Sequence, residues 1–211
     1  AAANWAGRVL PVRVPGKCGA ALSDIIDGMR WAAGLAVEGV PANPNPARII
    51  NISFGSANAC GDAYQSAVDE IRSVKGAVVI AAAGNEWAAA TRPANCAGAV
   101  GVVALNRDGF KSNYSNFGAS VLIAAPAAAV TTDISGPNGY DSGDYTTSFN
   151  GTSAATPVVS GVIALMLEAN PNLGWRDVQN ILAASASHTG SAFGGPQDAD
   201  EHGLWGFNAA P

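Results

Sequence analysis

Four short apolar runs constrain the fold more than any other feature. They are ARIINIS (47–53), AVVIAAAGN (77–85), AVGVVAL (99–105) and SVLIAAP (120–126). Each is short enough for a strand, and apolar on both faces as a fully buried parallel strand must be. RVLPVRV (8–14) reads as a further strand at the start of the chain. Between these runs lie segments of helical period. LSDIIDGMRWAAG sets Ile25, Ile26, Met29 and Ala33 on one stripe, with Ser23 as the expected N-cap and Gly34 as terminator. AYQSAVDEIRSVKG reads as a second helix ending at Gly76. Strand and helix in alternation predict an α/β fold, a parallel sheet flanked by helices.

The rest of the chain is more irregular. Residues 133–150 are rich in Gly, Ser, Asp and Thr and read as a long surface loop running into NGTSAATP. Residues 154–167 are apolar nearly all round, so a helix there should be buried. WRDVQNILAAS reads as a last helix, and the final twenty or so residues as irregular.

Composition narrows the function classes. The 211 residues carry a net charge of −5 and no basic cluster, which argues against nucleic-acid binding. Apolar residues at 48% and charged residues at 13% exclude a disordered chain. The longest apolar run, 158–167, is broken by Ser160 and Gly161 and falls short of the ~18 residues of a membrane span. AAANWAGRVL has no signal-peptide pattern, but a mature secreted protein would have lost one. With no CxxC and both histidines, His188 and His202, far in sequence from the cysteines, a zinc site is a poor reading. There is no GxSxG of an α/β-hydrolase, and neither GxGxxG nor the P-loop pattern of a nucleotide binder.

In parallel sheets, function gathers where strands end. Here those ends read ISFG and AAGN. Ser153 lies between a Gly-rich loop and an apolar helix, so it would stand at that helix's positive end, which suits a nucleophile beside an oxyanion site. The simpler reading is an N-cap serine. Asn85, just past a buried strand, could donate its amide to an oxyanion; it could also be an ordinary turn residue. NISFGS (51–56) would offer free backbone groups to an extended peptide, or be a plain strand-to-helix loop.

Together these pieces resemble the subtilisin-like serine proteases, the subtilases. NISFG is similar to that family's substrate-binding segment, AAAGN to its oxyanion-asparagine motif and NGTSAATPVVSG to its nucleophile motif. NYSNFG followed by SVLIAAP resembles the family's strand stretch between the last two motifs, and GLWGFNAA near the end resembles the closing segment of the domain. The resemblance implies that residues 1–211 are the C-terminal part of a single peptidase domain, acting on polypeptides and secreted. It implies Ser153 as nucleophile, with Asn85 and the Ser153 backbone N–H binding the oxyanion. Ser53, Phe54 and Gly55 would form one wall of the primary specificity pocket, and Ala82, Ala83 and Gly84 the other. Glu86 would stand at the rim.

The resemblance is incomplete. In the family the triad runs Asp, His, Ser, and neither the aspartate nor the histidine motif is present here. His188 and His202 both follow Ser153, on the wrong side. The N-terminal part of the domain is therefore expected to be absent. A companion chain carries the Asp and His, or the chain is a fragment, or it is a non-catalytic binding or scaffold chain on the same fold. Leu122 replaces an aspartate common in relatives and weakens a calcium site there, while carbonyls around Ala94, Cys96 and Ala99 leave calcium open. Ala154 and Val158 also depart from the family, at positions outside the triad. If the strands 8–14 and NISFG are neighbours, a Cys18–Cys60 bridge is in reach, leaving Cys96 to a partner outside this chain or none; three buried thiols are the alternative.

Overall fold

A computed structural model describes residues 3–186 of the chain. The elements follow in order as α1 (Leu22–Ala32), β1 (Ile49–Ile52), α2 (Gly61–Val74), β2 (Val78–Ala82), β3 (Val100–Leu105), β4 (Val121–Pro126), β5 (Ala129–Thr132), β6 (Tyr145–Phe149), α3 (Thr152–Ala169) and α4 (Trp175–Ser185). Strands β1 to β4 form one parallel sheet in chain order.

The sheet has an apolar layer on each face because strand side chains alternate. Ile50, Ile52, Val79 and Ala81 pack with Met29 of α1 and Val68 and Ile71 of α2. Val78, Ile80, Val100, Val102 and Ala104 point the other way, onto Ala155, Val159 and Ile163 of α3 and Val178 and Leu182 of α4. Each fully buried Val or Ile side chain contributes roughly 1.5–3 kcal/mol, so the buried strands β2 and β3 anchor the fold. Helix α3 packs against all four strands. By length and composition this 18-residue helix could also cross a membrane, although its sequence shows no unbroken apolar run. Contact with the sheet gives its apolarity a different cause.

Several sequence expectations change. Residues 8–14 form no strand. Pro11 and Pro15 cannot donate to a ladder, and the free edge of β1 carries no described neighbour. The alternation is still real, since Val12 and Val14 close over Gly28 of α1, where a Cβ would meet Val14. Ser23 does not cap α1; Ala21 holds the N-cap position. Residues 133–150 are not all loop, because β6 pairs antiparallel with β5. Only Thr146 of β6 is buried, so the strand has almost no apolar signature. Asp133 ties the tip of this hairpin: the Asp141 N–H first, then that of Ile134, hold its carboxyl below the usual carboxylate range.

Helix α3 is not buried all round. Val158, Val162 and Leu165 are between 37% and 44% exposed and share one face. Among the described residues this apolar stripe is uncovered.

The Cys18–Cys60 pairing is overturned. Cys60 bonds Cys96, with Cα atoms 5.0 Å apart, and Cys18 is exposed and free. Topology decides this. Because β1 pairs with β2, the loop entering α2 lies beside the connection that follows β2. Gln65 of α2 cements the same approach, donating to the Ala97 carbonyl and accepting the Ala97 N–H. The bridge closes 36 residues of sequence and is worth about 3–4 kcal/mol by loop entropy.

Candidate active site

The nucleophile candidate sits at the start of α3. Gly151 precedes the helix with φ +90°, a conformation that favours glycine, and a Cβ there would press on the Asn85 amide. The first N–H of the helix, that of Thr152, donates to Asn85 Oδ1 at 2.9 Å, and Thr152 Oγ1 donates to the same oxygen at 3.0 Å. Because a backbone N–H can only donate, this contact fixes which end of the Asn85 amide is oxygen. Its Nδ2 then has no protein acceptor among the described residues. The Ala154 and Ala155 N–H groups donate to the Gly151 carbonyl. The Ser153 N–H, at the second helical position, is left as an open donor among the described residues. One residue thus separates two donors with the helix's positive end behind them.

Ser153 Oγ donates to the Ser53 carbonyl at 2.8 Å, across from the end of β1. A peptide carbonyl cannot take up the proton that a nucleophilic hydroxyl must lose. Ser53, Phe54 and Gly55 follow directly on the end of β1. Among the described residues no backbone hydrogen bond engages Phe54 or Gly55, so this edge is available to an added peptide strand. Gly55 is required by close approach, since a Cβ would stand 2.6 Å from the Arg92 carbonyl and 2.8 Å from Thr91 Oγ1.

These parts enclose a cleft of about 270 Å³. Of the residues read from the sequence, Ser53, Phe54, Gly55, Ala82, Gly84, Asn85, Glu86 and Ser153 line it. Ala83 does not. It is fully buried, and its carbonyl accepts from Thr91 N, Thr91 Oγ1 and Asn116 Nδ2 behind the wall. Glu86 turns one carboxylate oxygen into its own loop, where Oε2 accepts the Asn85 N–H and an Asn116 Nδ2 proton. Ser56, the last residue of NISFGS, lines the cleft too, and so do Ala57, Thr91 and Thr152, which the sequence reading does not single out. Thr152 had a signal, a hydroxyl residue where a helix begins; the others are brought in by chain reversal.

The matching family model, described as the Subtilase family, covers residues 4–204. The chain belongs to the subtilase family. An extracellular protease of Xanthomonas campestris is 42% identical over 170 residues, 79% of this chain and 29% of that protein. An extracellular basic protease of Dichelobacter nodosus is 38% identical over 199 residues, 92% of this chain and 32% of that protein. The chain therefore spans about a third of the length of these relatives. A solved protease structure from Pseudoalteromonas arctica superposes with a TM-score of 0.77 at 38% identity, covering 95% of this chain and 63% of that one.

The triad histidine of a subtilase is not supplied by the described residues. No histidine lies within 3–186; His188, His202 and the GLWGFNAA stretch fall outside the described residues. Among the described residues no three His, Cys, Asp or Glu side chains gather. Beside the cleft, burial pushes the Tyr64 phenol up, partly opposed by the Arg92 guanidinium stacked near its ring.

Proposed function

We propose that this chain is the C-terminal part of a secreted subtilisin-like serine endopeptidase domain, with Ser153 as nucleophile. The observation that carries this reading is the joint at Thr152: it binds Asn85 Oδ1, turning the Asn85 amide donor away while Ser153 follows next in the helix. An acyl carbon held by Ser153 Oγ would place its oxygen toward Asn85 Nδ2 and the Ser153 N–H. The substrate backbone would lie along Ser53–Gly55 as an added strand, with its side chain before the cleaved bond in the cleft. The base and its orienting aspartate come from an N-terminal portion or companion chain. The open edge of β1, the unpaired segment 8–14 and the apolar stripe Val158, Val162, Leu165 are the surfaces such a portion would cover. Extracellular relatives support secretion of this chain.

A fluorophosphonate probe tests the reading. With the N-terminal portion supplied, Ser153 is expected to become labelled, and Ser153→Ala to abolish labelling. A complete assembly that stays unlabelled would favour the scaffold reading, in which the fold is kept and the chemistry lost.

Specificity follows from the walls. Ser53 to Gly55, Ala82 and Gly84 carry no charge, so a large apolar or neutral side chain before the cleaved bond is expected to turn over best. Glu86 at the rim lets a basic one be tolerated. Peptides carrying Phe, Leu, Lys or Glu at that position measure this, and best kcat/KM on Glu refutes it.

A further inference from the structure

We infer that Asn116 is the positioning residue of the oxyanion loop, an inference that rests on the reaction proposed above. Asn116 comes from the turn between β3 and β4, about thirty residues along the chain from Asn85, and is fully buried. Its side chain uses all four of its hydrogen-bonding positions on a single target. Oδ1 accepts the N–H groups of Glu86 at 2.9 Å and Ala88 at 3.0 Å. Nδ2 donates to the Ala83 carbonyl at 3.0 Å and to Glu86 Oε2 at 2.7 Å. Its backbone N–H donates to the Gly84 carbonyl at 3.0 Å. Residues 83, 84, 86 and 88 are thus bound to one side chain and its own peptide group, and Asn85 is the residue they bracket.

The fit is close enough to dictate Gly84. That residue has φ +108°, and a Cβ on it would collide with Asn116 Nδ2. Through Glu86 the network reaches Asn85 itself, since Oε2 also accepts the Asn85 N–H. The same turn touches the nucleophile side: the Gly151 N–H donates to Tyr114 Oη at 3.2 Å. One short stretch, 114–116, therefore braces both arms of the site. No other amide side chain is needed to explain why an exposed asparagine on a loop keeps a fixed direction. A donor must be aimed at where charge develops, and misplacement by about 1 Å costs on the order of 10²-fold in rate.

The test uses the complete protease, with its N-terminal portion. Asn116→Asp keeps the shape and both acceptor bonds, removes both donor bonds, and sets a carboxylate against Glu86 and the Ala83 carbonyl. We expect kcat to fall on the order of 10²-fold, while KM for a small ester substrate changes far less. In an Asn85→Ala background the same substitution should cost less than roughly threefold more, because the donor it aims has gone. Losses that multiply fully in the double variant, or an unchanged kcat in Asn116→Asp, overturn the inference. Should the wild-type assembly prove unlabelled by fluorophosphonate, the proposed reaction fails separately. Amide exchange at residues 84–88 then decides the positioning role. Faster exchange confined to that loop in Asn116→Asp supports it, and unchanged exchange refutes it.

Discussion

The chain on its own is expected to hydrolyse peptides on the order of 10⁶ more slowly than the same chain joined to the portion that carries the aspartate and histidine. That factor is the loss known in subtilisin when the serine or the histidine of the triad is removed. The structural ground is the hydrogen bond from Ser153 Oγ to the Ser53 carbonyl. The hydroxyl is oriented, and its proton has nowhere to go. The helix N-terminus and the two open donors can still stabilise a developing oxyanion, so a residual ~10³–10⁴ over water should survive. Progress curves on a chromogenic peptide, with and without the N-terminal portion, measure the ratio. Ordinary turnover by the purified single chain would mean that a base within it has been overlooked.

Removing the Asn85 donor from the complete protease is expected to cost about 10²–10³ in kcat, with little change in KM. Here too the magnitude is subtilisin's own, for loss of its oxyanion amide. Asn85 has two jobs in this chain, however. Its oxygen caps the first N–H of α3, and its nitrogen is the donor proposed for the oxyanion. Two variants separate them. Asn85→Ala loses both, so thermal stability should drop along with kcat. Asn85→Asp keeps the acceptor for Thr152, so stability should hold while kcat falls at least as far, because a carboxylate repels the developing negative charge. Asn85→Asp turning over within about fivefold of wild type, a change worth roughly 1 kcal/mol, would remove Asn85 from the oxyanion role.

Deposition of charge and bulk along the sheet explains which errors the sequence invited. The alternation in 8–14 is genuine, yet a strand exists only where another strand meets it, and none of the described ones does. The hairpin strand β6 has almost no signal in the sequence because YTTSF buries only Thr146. The cysteine pairing depended on which strands are neighbours. Chain order suggests 8–14 beside β1, but no described strand lies on that edge; β2 pairs along the other, and Cys96 arrives with the connection that follows β2.

Local chemistry is what a sequence can carry unaided. Buried parallel strands need apolar residues on both faces, and glycines mark positive φ. From those signals came the alternating α/β order, the places of β1 to β4 though not their ends, and the segments ISFG, AAGN and NGTS that gather around one cleft. Residues far apart along the chain meet only through tertiary folding. That alone decided that Asn116 reaches back to hold 83–88, that Cys60 finds Cys96, that Ala83 lies behind the wall, and that Val158, Val162 and Leu165 face outward. Each is a long-range contact, and contacts of that kind are set by the pairing order of the strands, which the pattern of apolar residues does not encode.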